Sequence, residues 1–203
     1  PTHPAPYRLA IADFNNDGID DIFVSSMGLQ YRDPDSNNDF ILPYPDLLLL
    51  SDSSGRFIDA SVNIDDQNNG NGKICGFSHD ASTGDFDNDG DYDIFACNLL
   101  LVNDGLGNFE IHQDLDFNLQ QAYGNPMSSL IVDLNNDDYA DLVFWNFDNR
   151  TNSIPEEGFA LVSDGTANVD NWTLVELPEG PFGRNHNKFN HAAWGDLNND
   201  GNN

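Results

Sequence analysis

Asp13-Phe-Asn-Asn-Asp-Gly-Ile-Asp-Asp21 is the first of four copies of one acidic loop. The others are Asp85-Phe-Asp-Asn-Asp-Gly-Asp-Tyr-Asp93, Asp133-Leu-Asn-Asn-Asp-Asp-Tyr-Ala-Asp141 and Asp196-Leu-Asn-Asn-Asp-Gly-Asn-Asn203, the last stopping one residue short of its final Asp. The shared pattern is D-x-[DN]-x-D-[GD]-x-x-D. Side-chain oxygens at loop positions 1, 3, 5 and 9 suit a hard cation such as Ca²⁺, which takes about 6–8 oxygen ligands. A main-chain carbonyl at position 7 and water would complete the shell. Glycine at position 6 admits the sharp turn that wraps the loop around an ion. A single Asx-rich turn reads equally well as a hairpin turn held by its own side chains. Four copies at this stringency point to metal binding.

Strand-like segments flank the loops. Leu9-Ala-Ile-Ala12 enters the first and Ile22-Phe-Val24 leaves it; Ile94-Phe-Ala96 leaves the second; Ser129-Leu-Ile-Val132 enters the third and Leu142-Val-Phe-Trp145 leaves it. β-Branched and aromatic residues dominate these flanks. A second repeated element follows each loop. Leu47-Leu-Leu-Leu-Ser-Asp-Ser-Ser-Gly-Arg-Phe57 aligns without gaps on Leu99-Leu-Leu-Val-Asn-Asp-Gly-Leu-Gly-Asn-Phe109, with a looser copy at Phe159–Val169. An apolar run, a polar Asp/Gly/Ser turn and a further hydrophobic residue form a β-hairpin signal. One repeat therefore reads as strand, metal loop, strand, connection, strand, turn, strand. Four short strands at a period of about 50 residues predict an all-β fold, a β-propeller of four-stranded antiparallel blades. The whole of 1–203 is expected to form one propeller fragment, an incomplete, open arc. Repeat 1 spans about 5–76, repeat 2 about 77–124, repeat 3 about 125–187, and a fourth starts at about 188–203. The extra length of repeats 1 and 3 lies mostly between the second and third strands, where 25–46 and 146–158 read as polar surface loops. No helix is expected, at most a turn near Asp114–Gln121.

The same loop opening occurs in EF-hands, which need a carboxylate at position 12 on an exiting helix. Position 12 is Val24, Ala96 or Phe144, none of which can coordinate. The loop must close on position 9 and pass into a strand. With the LLLVNDGLGNF hairpin, the segments DFNNDGIDDIFV and GDFDNDGDYDIF resemble the FG-GAP/VCBS repeat family, which includes the calcium-binding blades of integrin α-subunit propellers. The resemblance covers essentially the whole chain apart from its insertions. It implies Ca²⁺ held between the first two strands of a blade. Carried over by position, site 1 is Asp13, Asn15, Asp17, the Ile19 carbonyl and Asp21. Site 2 is Asp85, Asp87, Asp89, the Asp91 carbonyl and Asp93. Site 3 is Asp133, Asn135, Asp137, the Tyr139 carbonyl and Asp141. Site 4 retains Asp196, Asn198 and Asp200, and is expected to bind weakly or not at all. Asp138 stands where the other loops have glycine, at some backbone cost. Site 2 has four side-chain carboxylates against three in sites 1 and 3, so it is expected to bind tightest.

Composition bounds the partners. Lys and Arg total 7 against 35 Asp and Glu, a formal net charge of −28. Such a polyanion repels nucleic-acid phosphates and attracts divalent cations. No apolar run approaches the ~20 residues of a membrane span, so no membrane insertion is expected. Two cysteines, Cys75 and Cys97, do not make a disulfide framework, though they can pair. The chain starts without Met and ends inside a motif. It is therefore expected to be a piece of a longer secreted or cell-surface protein whose signal sequence and further blades lie elsewhere.

Other candidate sites are weaker. His79 and His191 precede loops 2 and 4 by six and five residues, which suggests a repeat position on the first strand. No G-x-S-x-G elbow or phosphate-binding loop is present. Arg184-Asn-His-Asn-Lys188 is a local positive patch, and Tyr31, Arg32 and Tyr44 in the first insertion are sugar-contacting types. The expectation is a non-catalytic, calcium-binding propeller segment for adhesion or for recognition of a protein or polysaccharide. A propeller-based polysaccharide lyase or hydrolase is the alternative, which convergence of His79, His191, Arg184 and a Tyr would favour. A structural spacer in a surface array is the second.

Overall fold

The computed structural model describes residues 6–27, 29–32, 39–42, 44–65, 78–97, 99–112, 126–146, 158–165 and 171–177. These form an all-β structure of three four-stranded antiparallel sheets, none of them closed. The first sheet contains β1 (Pro6–Ala12), β2 (Asp21–Ser26), β5 (Leu47–Ser51) and β6 (Phe57–Asp59) in that order. The second contains β7 (Ser82–Gly84), β8 (Asp93–Ala96), β9 (Leu99–Asn103) and β10 (Phe109–His112). The third contains β11 (Pro126–Val132), β12 (Asp141–Asn146), β13 (Gly158–Val162) and β14 (Thr173–Glu176). Each is a meander in which every strand pairs with its predecessor.

The first insertion has structure of its own. β3 (Leu29–Arg32) pairs with β4 (Asp39–Leu42) in a separate two-stranded hairpin, where the sequence reading expected a loop. The polar stretch between the strands hid two short segments rich in Leu, Ile and aromatic residues. A short 3₁₀ turn spans Ser61–Asn63. The expected turn near Asp114–Gln121 lies outside the described residues.

Both faces of the second sheet carry buried apolar side chains, because it packs against a neighbouring sheet on each side. In the first sheet Phe23 pairs with Ala10 and Leu48. These bury, with Phe14, against Ile94, Ala96, Leu101 and Phe109 of the second sheet. The opposite face of the second sheet presents Phe86, Phe95 and Leu100 to Leu142, Phe144, Phe159, Leu161 and Trp172 of the third. Each fully buried Phe or Leu contributes about 1.5–3 kcal/mol. Among the described residues the remaining face of the first sheet has no such cover: Leu9, Ile11 and Phe57 are 54, 53 and 52% exposed. Phe109, which aligns with Phe57, is 1% exposed.

The closest backbone approaches between sheets run along the first strands, with β7 against both β1 and β11. Small residues permit this. A Cβ built on Gly84 would lie 2.6 Å from the Cγ2 of Ile131, and the Ser82 and Ser129 hydroxyls meet at 2.9 Å.

Candidate metal centre

The three described acidic loops join the first two strands of each sheet. Each is followed directly by a strand, β2, β8 or β12. Their backbones share two left-handed residues. At position 4, Asn16, Asn88 and Asn136 have φ of 57, 58 and 58°. At position 6, Gly18, Gly90 and Asp138 have φ of 87, 96 and 70°. Asn and Asp visit this region more readily than other non-glycine residues. Asn recurs at position 4 in all four copies, Asn199 included, a signal that attention to ligand positions alone passes over.

Side chains then wind the backbone inward. Asp13 accepts the N–H groups of Asp17 and Gly18 at 3.0 and 2.7 Å. Asp85 accepts those of Asp89 and Gly90 at 3.1 and 3.0 Å. Asp133 accepts those of Asp137 and Asp138 at 3.2 and 3.0 Å. Position 5 then accepts the N–H of position 7: Ile19 to Asp17 and Asp91 to Asp89 at 2.9 Å, and Tyr139 to Asp137 at 3.0 Å. Asn15 and Asn135 each accept the following Asp N–H at 3.1 Å. A carboxylate oxygen that takes one N–H keeps a second lone pair for a cation.

The position 9 aspartates do something the sequence did not announce. Asp21, Asp93 and Asp141 are fully buried. One oxygen of each accepts the N–H of loop position 2: Phe14 at 2.9 Å, Phe86 at 2.8 Å and Leu134 at 2.9 Å. The other accepts the N–H at the end of the third strand or just beyond it: Ser51 at 2.6 Å, Asn103 at 2.8 Å and Ser163 at 2.8 Å. Each carboxylate thus fastens its loop to the hairpin of the same sheet. Burial pushes Asp93 up to about 7 and raises Asp141 above its ordinary value.

One loop gathers carboxylates most tightly. Asp85, Asp87 and Asp89 each place an oxygen within 4.8 Å of the others, close enough to hold a metal ion. Burial, then repulsion from Asp89 and Asp85, raises the Asp87 carboxyl above its ordinary value. Its Oδ1 is buried and meets no hydrogen-bond donor among the described residues. A buried anionic oxygen without a donor is costly, and a cation seated among the three carboxylates would satisfy it. The donor set, all oxygen, fits a hard ion. In loops 1 and 3, Asn15 and Asn135 occupy the place of Asp87.

Of the other candidates, His79 packs its ring edge-on against Tyr7 at 4.9 Å. The two residues stand six positions before the first Asp of their respective loops, so the pairing joins equivalent repeat positions, although Tyr7 lies on β1 and His79 precedes β7 by three residues rather than lying on it. His191, the Arg184–Lys188 patch and the loop 4 residues Asp196, Asn198 and Asp200 lie outside the described residues. Tyr31 and Arg32 fall on β3, and Tyr44 follows β4, half-buried. Cys97 is disulfide-bonded; the sequence has one other cysteine, Cys75, which lies outside the described residues. None of the described helical segments is long and apolar enough to cross a membrane. No protein-family model matches the chain, and no curated protein matches it significantly.

Proposed function

We propose that this chain is a non-catalytic, calcium-binding segment of a β-propeller of the FG-GAP/VCBS type, belonging to a secreted or cell-surface protein. The observation that carries the metal reading is the buried, donorless Oδ1 of Asp87 inside the Asp85–Asp87–Asp89 cluster. Ca²⁺ is the ion of choice because the ligands are all oxygen and the loop backbone is already wound to receive it. Loops 1 and 3 repeat that winding and take their own ions through Asp13, Asn15, Asp17 and the Ile19 carbonyl, and through Asp133, Asn135, Asp137 and the Tyr139 carbonyl. Asp21, Asp93 and Asp141 offer their remaining lone pairs from the buried end.

The propeller reading is supported by the twice-repeated face-to-face packing and by the first strands lying side by side. The bare face of Leu9, Ile11 and Phe57 then receives a further blade. A disulfide at Cys97 suits an oxidising, extracellular setting, where Ca²⁺ dissociation constants of ~10⁻⁴–10⁻³ M suffice. In this role the bound ions stiffen the loops and cancel charge, and the blades recognise a protein or polysaccharide.

Isothermal titration and thermal melting with Ca²⁺ or chelator test the ion. Saturable binding and a melting temperature higher by several degrees with Ca²⁺ are expected. Identical melting curves in the two conditions refute the ion-binding role. Asp85→Ala is expected to weaken binding more than Asp133→Ala, since loop 2 has the greater carboxylate charge. A glycan and protein array tests the recognition role.

A further inference from the structure

The first two acidic loops belong to different sheets, yet two side-chain amides tie them together. Asn103, 4% exposed, stands in the second sheet. Its Nδ2 donates to the Phe14 carbonyl in loop 1 at 2.8 Å and to the Tyr92 carbonyl in loop 2 at 3.0 Å. Its own N–H is held by Asp93, the last residue of loop 2, at 2.8 Å. Asn16, the left-handed residue of loop 1, reaches back. Its Nδ2 donates to Asp91 Oδ1 in loop 2 at 2.5 Å and to the Gly105 carbonyl at 3.3 Å. Gly105 makes room for this: a Cβ there would overlap the Asp91 carboxylate.

We infer that loops 1 and 2 bind their cations as a coupled pair, linked through Asn103 and Asn16, while loop 3 binds independently. The inference rests on the calcium reading proposed above. Its physical basis is shared ordering. Without an ion, the carboxylates of each loop repel one another and favour opening. Opening loop 1 carries off the Phe14 carbonyl and the Asn16 amide, which loosens Asn103 and Asp91 of loop 2. A cation that closes either loop restores these hydrogen bonds, so the second ion meets a loop already ordered. The direct Coulomb effect runs the other way, since one bound cation lessens the attraction for the next. At 0.15 M salt that effect is screened over about 8 Å.

The third sheet lacks the parts. Position 7 of its loop is Tyr139, with no carboxylate. Ser163 stands where the second sheet has Asn103, and its hydroxyl accepts the Gly165 N–H at 3.0 Å.

The test is a Ca²⁺ titration at 0.15 M salt by native mass spectrometry and calorimetry, comparing the wild type with Asn103→Ser, Asn16→Gly and Asp85→Ala. Serine already occupies the equivalent place in the other two sheets, and glycine suits the φ of 57° at Asn16, so these variants preserve the fold. In the wild type the doubly loaded form should exceed its statistical share, and Asp85→Ala should weaken loop 1 by about fivefold or more. Asn103→Ser and Asn16→Gly should bind the same number of ions with the excess gone. Ions bound in statistical proportion by the wild type, with loop 1 indifferent to Asp85→Ala, would overturn the coupling and leave the calcium reading standing. No Ca²⁺ bound by the wild type would overturn both.

Discussion

The Asp93 carboxylate accepts the main-chain N–H of Asn103 at 2.8 Å, and through this contact the acidic loop of the second sheet is fixed to its hairpin. The opposite oxygen holds the Phe86 N–H, and the whole group is sealed from solvent. Asp93→Ala leaves two buried N–H groups without an acceptor, each costing about 1–3 kcal/mol. The variant is expected to lose about 2–6 kcal/mol of unfolding free energy. Urea denaturation in chelator is the right measurement, because it separates this structural loss from any loss of ion binding.

Asp87 should behave in the opposite sense. Asp87→Asn removes an anionic charge crowded by Asp85 and Asp89. In chelator the variant should melt about 1–3 °C higher than the wild type, the equivalent of one like-charge contact of under about 1 kcal/mol. In Ca²⁺ the order should invert, since the variant has given up a charged ligand. Melting curves that stay in the same order in both conditions would count against a cation at this loop.

The pH dependence can be followed at Asp80, which lies outside the acidic loops, five residues before Asp85. It is 1% exposed, and its Oδ1 accepts the Cys97 N–H at 3.1 Å. Burial pushes its carboxyl from 3.8 up to about 7, against the opposing pull of the Cys97 N–H, the Ser129 hydroxyl and the charge of Arg8. Between those values the folded chain holds a proton that the unfolded chain has released. Stability from this group is therefore complete below about pH 4 and lost as pH rises towards 7. Asp80→Asn should flatten that fall, with a difference on the order of 3 kcal/mol between the acidic and neutral ends. Denaturant midpoints from pH 4 to 8 in chelator give the comparison.

The exposed face of the first sheet makes a separate prediction. Replacing Leu9 and Ile11 by Lys removes two side chains that are more than half exposed. The double variant should unfold within about 0.5 kcal/mol of the wild type, as surface substitutions do. Self-association in sedimentation velocity should fall. A loss of several kcal/mol would mean that this face is already covered by the chain itself.

The loops and hairpins were legible because their determinants are local. Ligand residues two apart, a turn glycine and the β-branched and aromatic run Ile22-Phe-Val24 all act within a few residues. The fastening by Asp21, Asp93 and Asp141 was not legible. Their partners are main-chain N–H groups as many as 30 residues away, which leave no mark on composition. Asn103 reads in sequence as an ordinary turn residue before Asp-Gly, and only the neighbouring sheet reveals that its amide spans two loops. The β3–β4 hairpin was hidden for another reason: the polar residues at its tip dominate the insertion's composition.

The near-contact of Gly84 with Ile131 has a geometric consequence. Sheets that touch through glycine and serine along one margin, and through Phe and Trp elsewhere, are tapered plates. Tapered plates laid side by side must fan, and the taper fixes how far each step turns. On the propeller reading proposed above, bulk added at Gly84 would widen the thin margin, reduce the turn per step and alter how many plates complete a circle. On that reading the small residues Gly84, Ser82 and Ser129 would act as a counting device.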